Sequence, residues 1–173
     1  MLEIINNLKP FFEDCYRRIN VREYSRLMKV SPPTASKILF GLNKEGLLII
    51  ERNRNYIFFY ASKDNKIFVD LSHIYWRIKL NDLADFLDKT LTNPTIILFG
   101  SLSKAEARED SDMDIAIFSH KKSLDLANYE KKLKRKLQLF WFNSIKYVEN
   151  KELANSIING YVLRGRIKIN GLV

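Results

Sequence analysis

Apolar residues recur at helical spacing three times in the first third of the chain: Leu2, Ile5, Leu8 and Phe12; Val21, Tyr24, Leu27 and Met28; Ala35, Ile38, Leu39 and Leu42. The first set predicts a helix that Pro10 kinks or restarts. Asn20 with Glu23 three positions later reads as a capping box opening the second helix, and Ser31-Pro32 as the cap and first turn of a third that ends near Gly46. Residues 47–50 and 56–60 are β-type runs, so the stretch 51–55 between them predicts a hairpin tip carrying Arg52 and Arg54. From 68 to 90 the period is helical again, with Asn81-Asp82 as the break and cap of a second segment.

Beyond residue 90 the pattern changes to strands alternating with helices. Residues 95–99, 113–118, 137–142 and 161–169 read as strands, and 123–136 and 151–158 as helices, which predicts a small mixed sheet with helices packed on it. The expected architecture is therefore α+β in two domains: 1–80, three helices, a hairpin and a connecting helix, and 81–173, the α/β unit.

The composition, 46% hydrophobic over 173 residues, suffices for two small cores. No run approaches the ~20 apolar residues that span a bilayer, and Glu3 stands where a signal peptide would be basic, so a cytoplasmic protein without a membrane partner is expected. Cys15 is the only cysteine, which rules out an intrachain disulfide and cysteine-based zinc sites and makes it a core candidate. The net charge is +9, and residues 1–80 hold 14 Lys+Arg against 8 Asp+Glu, so most of the basic excess is N-terminal. That is the long-range footprint of a nucleic-acid binder. The cluster Lys131, Lys132, Lys134, Arg135 and Lys136 reads as a solvated helix face, or else as a contact for a polyanion.

The chemistry concentrates in residues 99–114. Gly100-Ser101 ends an apolar strand where a helix can begin with free N–H groups, the kind of turn that binds phosphate. Asp112 and Asp114 alternate at the start of the next strand and must project from one face, where two carboxylates can share a hard cation such as Mg2+ beside substrate phosphates.

Gly100-Ser101, a spacer of 10 residues, and Asp112-Met113-Asp114 resemble the signature of the DNA polymerase β-like nucleotidyltransferases, most closely the minimal ones, and Lys104, Glu106, Ala107 and Asp110-Ser111 extend the match. The resemblance implies Asp112 and Asp114 as catalytic, metal-holding carboxylates and Gly100, Ser101, Lys104 and Arg108 as nucleotide contacts. It implies an NTP as substrate, Mg2+ as cofactor, and transfer of a nucleoside monophosphate to a hydroxyl. Family acceptors include antibiotics, RNA ends and tyrosines on a HEPN-type partner protein. Two departures stand out. The family's third carboxylate, on a later strand, aligns with Gln138, and Ala105 stands where the family commonly has glycine. Asp125 and Glu149, acids on either side of Gln138 that fall outside its strand, are poor substitutes.

Residues 1–62 resemble the winged helix-turn-helix of MarR/ArsR-like regulators, which implies duplex DNA as a partner and a homodimer as the form that reaches two half-sites. Ser36 and Lys37 would face the major groove and Arg52 and Arg54 the backbone or minor groove. Winged helices also serve as protein-interaction modules. The rival to an active enzyme is a DNA-binding regulator whose nucleotidyltransferase domain, impaired by Gln138, works as a nucleotide sensor or dimer module.

Overall fold

The computed structural model describes residues 2–167, which form two compact units: residues up to Tyr75 together with Ala105–Glu109, and Trp76–Lys104 with the chain from Asp110 onward. In the first unit α1 (Glu3–Glu13), α2 (Val21–Met28) and α3 (Pro32–Lys44) precede an antiparallel hairpin of β1 (Leu48–Asn53) and β2 (Tyr56–Ala61). Then comes α4 (Lys66–Lys79). The second unit continues with α5 (Asn81–Thr90), β3 (Thr95–Phe99), α6 (Gly100–Ser103), β4 (Met113–Phe118), α7 (Ala127–Leu133), β5 (Leu137–Phe142), α8 (Lys151–Ile158) and β6 (Tyr161–Arg164).

The helix starts of the first unit follow from local chemistry. Asn20 Oδ1 accepts the Glu23 N–H at 3.0 Å and Ser31 Oγ that of Thr34 at 3.3 Å, each satisfying an orphan donor of the first turn. Only half of the expected capping box forms, because the Glu23 carboxylate turns to the Arg17 guanidinium instead. Lys29, in the left-handed region at φ 54°, ends α2 and makes the turn into α3. The α1 helix runs through Pro10 without interruption, with Leu2 outside it. Ile5, Leu8, Phe11 and Phe12 of α1 are fully buried with Tyr24, Leu39 and Phe59. Burial pushes the Tyr24 phenol up to about 12, and its hydroxyl donates to the Asn7 carbonyl at 2.8 Å. Cys15 lies in this core, its N–H bonded to the Ala107 carbonyl.

The hairpin is longer than its apolar runs suggest. Residues 51–53 lie in β1, with Arg52 opposite Ile57, and the turn is only Arg54-Asn55, so Arg54 alone of the two arginines is at the tip. Polar residues on the exposed side of a two-stranded ribbon do not look like a strand to a hydrophobicity pattern.

In the second unit the sheet order is β5-β4-β3-β6, with β3 antiparallel to both neighbours and β4 parallel to β5. Its two faces follow the period of two. Ile96, Leu98, Met113, Ile115 and Ile117 fill one. Ile97, Phe99, Ala116, Phe118, Phe140 and Phe142 line the other, where Val148, Leu153 and Ile157 pack over them. Three expectations are corrected here. The helix foreseen over 123–136 is only Ala127–Leu133, because the Asp125 carboxylate takes the Ala127 N–H at its start and Lys134 turns left-handed at its end. Asn81 does not cap α5: Leu80 holds that position without a side-chain bond, and Asn81 Nδ2 donates to Asp85. The last strand stops at Arg164, where Gly165 adopts φ +75°; residues 168 and 169 of the expected run lie outside the described residues.

Gly160 joins α8 to β6 so closely that a Cβ there would lie 2.7 Å from both the Leu98 carbonyl oxygen and Ile97 Cγ2. Backbone cannot yield as a flexible side chain does. Gly160→Ala should therefore destabilise the protein by about 1–3 kcal/mol, seen as a lower urea midpoint at unchanged slope.

Candidate active site

Two strand positions, Asp114 and Gln138, and Asp112 just before β4 come together on one face of the second unit's sheet. Asp114 pairs with Phe99 on the β3 side and with Gln138 on the β5 side, so its side chain shares a face with Gln138, and Asp112 two residues earlier follows the same alternation. This is the face that Ala116 and Phe118 carry farther along β4.

Gly100 follows Phe99 directly and takes φ +72°, a conformation that glycine alone adopts freely. A Cβ at this position would collide with the Asp114 carboxylate. The turn therefore presents bare backbone to the carboxylate. The α6 helix is a single turn, closed by the Ser103 hydroxyl donating to the Gly100 carbonyl at 2.9 Å, so the expected helix start offers local N–H groups without a long helix dipole behind them. Ser101 is half-buried, and the exposed Lys104 ends the turn. Ala105, buried, holds φ 54°, where glycine would be unstrained; a β-carbon there costs roughly 1–2 kcal/mol.

Gln138 Nε2 donates to Asp112 Oδ2 at 2.6 Å. The neutral amide thus lies in register with the acidic pair. Burial, and then the Asp112 charge, hold the Asp114 carboxyl above the ordinary carboxylate range. Among the described residues no three His, Cys, Asp or Glu side chains form a cluster able to hold a metal ion. Two half-buried carboxylates are nevertheless donors of the kind that fit a hard cation such as Mg2+.

Arg108 is placed by the first unit, its guanidinium 4.3 Å from the centre of the Tyr16 ring, so the structure supplies it with a partner that the sequence did not suggest. Ser36 is half-buried on α3; Lys37, Arg52 and Arg54 are exposed, and none of these three is in an ion pair among the described residues. The cluster at 131–136 is not one solvated helix face. Its four lysines are exposed, but Arg135 is 7% exposed and donates through Nη1 to the Ser111 carbonyl at 2.7 Å. A run of basic residues gives no sign of which one turns inward.

The Asp114 environment sets a pH dependence. A carboxyl whose pKa is raised by folding destabilises the fold when ionised, and this penalty vanishes once pH falls below the ordinary carboxylate pKa, where the group is neutral folded and unfolded alike. Asp114→Asn should accordingly raise the melting temperature of the metal-free protein at neutral pH, and the difference should close as pH falls below about 4, measured by circular dichroism.

Among the described residues no helix is long and apolar enough to cross a membrane. Neither the curated proteins nor the solved structures yield a match to the chain. A protein-family model does: polymerase beta, nucleotidyltransferase, matches residues 81–167, half of the chain, from the start of α5 past the end of β6. With the Gly-Ser turn and the Asp-x-Asp strand inside the matched region, the chain belongs to the polymerase beta nucleotidyltransferase family.

Proposed function

We propose that the protein transfers a nucleoside monophosphate from a Mg-NTP to a hydroxyl acceptor and carries an N-terminal winged helix-turn-helix that binds duplex DNA. The observation that carries the first part is that Asp114 on β4 lies against the Cβ-free turn at Gly100, with Asp112 two residues before it. Asp112 and Asp114 would hold Mg2+, which when bound neutralises the phosphates. The Gly100-Ser101 backbone N–H groups and the Ser101 hydroxyl would cradle the phosphates, with Lys104, and Arg108 if released from Tyr16, adding charge. In the transfer the acceptor oxygen bonds to the α-phosphorus as the bond to pyrophosphate breaks in line. Gln138 cannot take the acceptor's proton, which must leave to water or to a base on the acceptor itself, so the usual general-base gain of about 10²–10⁴-fold is absent. A HEPN-type protein and a second copy of this chain are partners within this reading, in the cytoplasm.

A second reading has its own observation. The Gln138 amide already donates to Asp112 and makes the pocket closer to neutral, as suits a nucleotide sensor within a DNA-binding regulator. The two readings separate by experiment. ATP and GTP titrations should show Mg2+-dependent binding that the Asp112→Asn, Asp114→Asn double variant loses. Gln138→Asp should raise transfer of label from the α-phosphate of the NTP by at least about tenfold if the enzyme reading holds. Brisk wild-type turnover with no gain in that variant would sink the role given to the missing carboxylate.

The DNA-binding part rests on the three-helix and hairpin order, the exposed Lys37 on α3 and the exposed arginines of the hairpin. Arg52→Ala with Arg54→Ala should weaken duplex binding and reduce the salt slope by up to about two, while Lys37→Ala should shift preference among sequences. Absence of binding to any duplex at low salt would leave this unit as an interaction module.

A further inference from the structure

Asp112 stands one residue before β4 and so lacks the strand pairing that fixes Asp114. Its backbone is held instead by the segment that opens β5. The peptide before it is gripped by Arg135, whose Nη1 donates to the Ser111 carbonyl at 2.7 Å. The peptide after it is gripped by the Lys136 carbonyl, which accepts the Met113 N–H at 2.9 Å. Each peptide is planar, so a hydrogen bond to each flanking plane restrains the φ and ψ of the residue between them. The Gln138 amide then holds the side chain.

Arg135 is the unusual member of this set. Burying a guanidinium is costly, and its four basic neighbours, Lys131, Lys132, Lys134 and Lys136, all stay in water. Local geometry turns it inward: Lys134 ends α7 at φ 57°, and the Arg135 N–H closes back on the Glu130 carbonyl. The guanidinium lies 5.5 Å from the centre of the fully buried Trp76 ring, a platform that suits a flat cation. A planar fork can rest on an indole and aim an N–H at a carbonyl in one pre-organised geometry, whereas an ammonium on a flexible stem loses more freedom to do so.

We propose that Arg135 is a positioning residue that sets Asp112 for metal binding through the Ser111 carbonyl. The inference rests on the reading that Asp112 and Asp114 hold Mg2+. Its effect on affinity should match that of other groups that orient a metal ligand, about 10–100-fold on loss.

The test is a Mg2+ titration of the full chain in the presence of a non-hydrolysable ATP analogue, followed by calorimetry at a temperature where circular dichroism shows each variant folded. Arg135→Lys should require about 10–100-fold more Mg2+ than wild type, with binding of the analogue in the absence of Mg2+ unchanged. Arg135→Gln, which retains a donor but no charge or fork, serves as the second variant if the lysine form does not fold. In an Asp112→Asn background the same substitutions should add nothing further, because the residue they act through is gone. A folded Arg135 variant that binds Mg2+ as tightly as wild type overturns the proposal, as does an equal loss in both backgrounds, which would make Arg135 a general stabiliser. A wild type without any Mg2+ dependence overturns the metal-site reading itself, and this inference with it.

Discussion

The second unit depends on the register of β4 between β3 and β5. Phe99 opposite Asp114 and Gln138 opposite Asp114 place the acidic pair, the glycine turn and the amide at one end of one face. A slip of one residue would turn Asp112 and Asp114 to the other side of the sheet and Met113, Ile115 and Ile117 out of it. Those three are fully buried, so the hydrophobic effect that fixes the register also aims the carboxylates. Fold stability and site geometry are here one constraint.

That constraint concentrates unfavourable features in a short stretch. Burial and then a neighbouring charge oppose ionisation of Asp114, Gly100 leaves no room for a side chain, and Ala105 holds a left-handed backbone. Such features persist only where surrounding packing over-determines them, and they gather where function needs them. Gln138 acts in the opposite sense. An amide that donates to Asp112 adds no negative charge beside the pair, where a carboxylate in the same register would.

The first unit is organised differently, by local caps. Asn20 and Ser31 begin α2 and α3, a left-handed Lys29 joins them, and aromatic packing of Phe11 on Tyr24 and of Phe12 on Phe68 holds α1 against the rest. Polar positions off these contacts, Lys37 and the hairpin arginines among them, are left to solvent.

Local pattern by itself determined α2, α3, β3, β4 and β5, because the helices are set by capping residues and apolar spacing and the strands by apolar, β-type runs within their own spans. The Gly-Ser turn and the Asp-x-Asp spacing were likewise legible as family features, since both lie in residue type and spacing along a few positions. What the tertiary structure alone decided depends on neighbours distant in sequence. The Ala105–Glu109 stretch of the spacer joins the first unit, Arg108 settles over Tyr16, and Arg135 alone turns inward to hold Ser111. A charged side chain carries the same letter whether water or an indole surrounds it. Only the packing of Trp76, the left-handed turn at Lys134 and the parallel pairing of β4 with β5 settle which applies, and those are long-range facts.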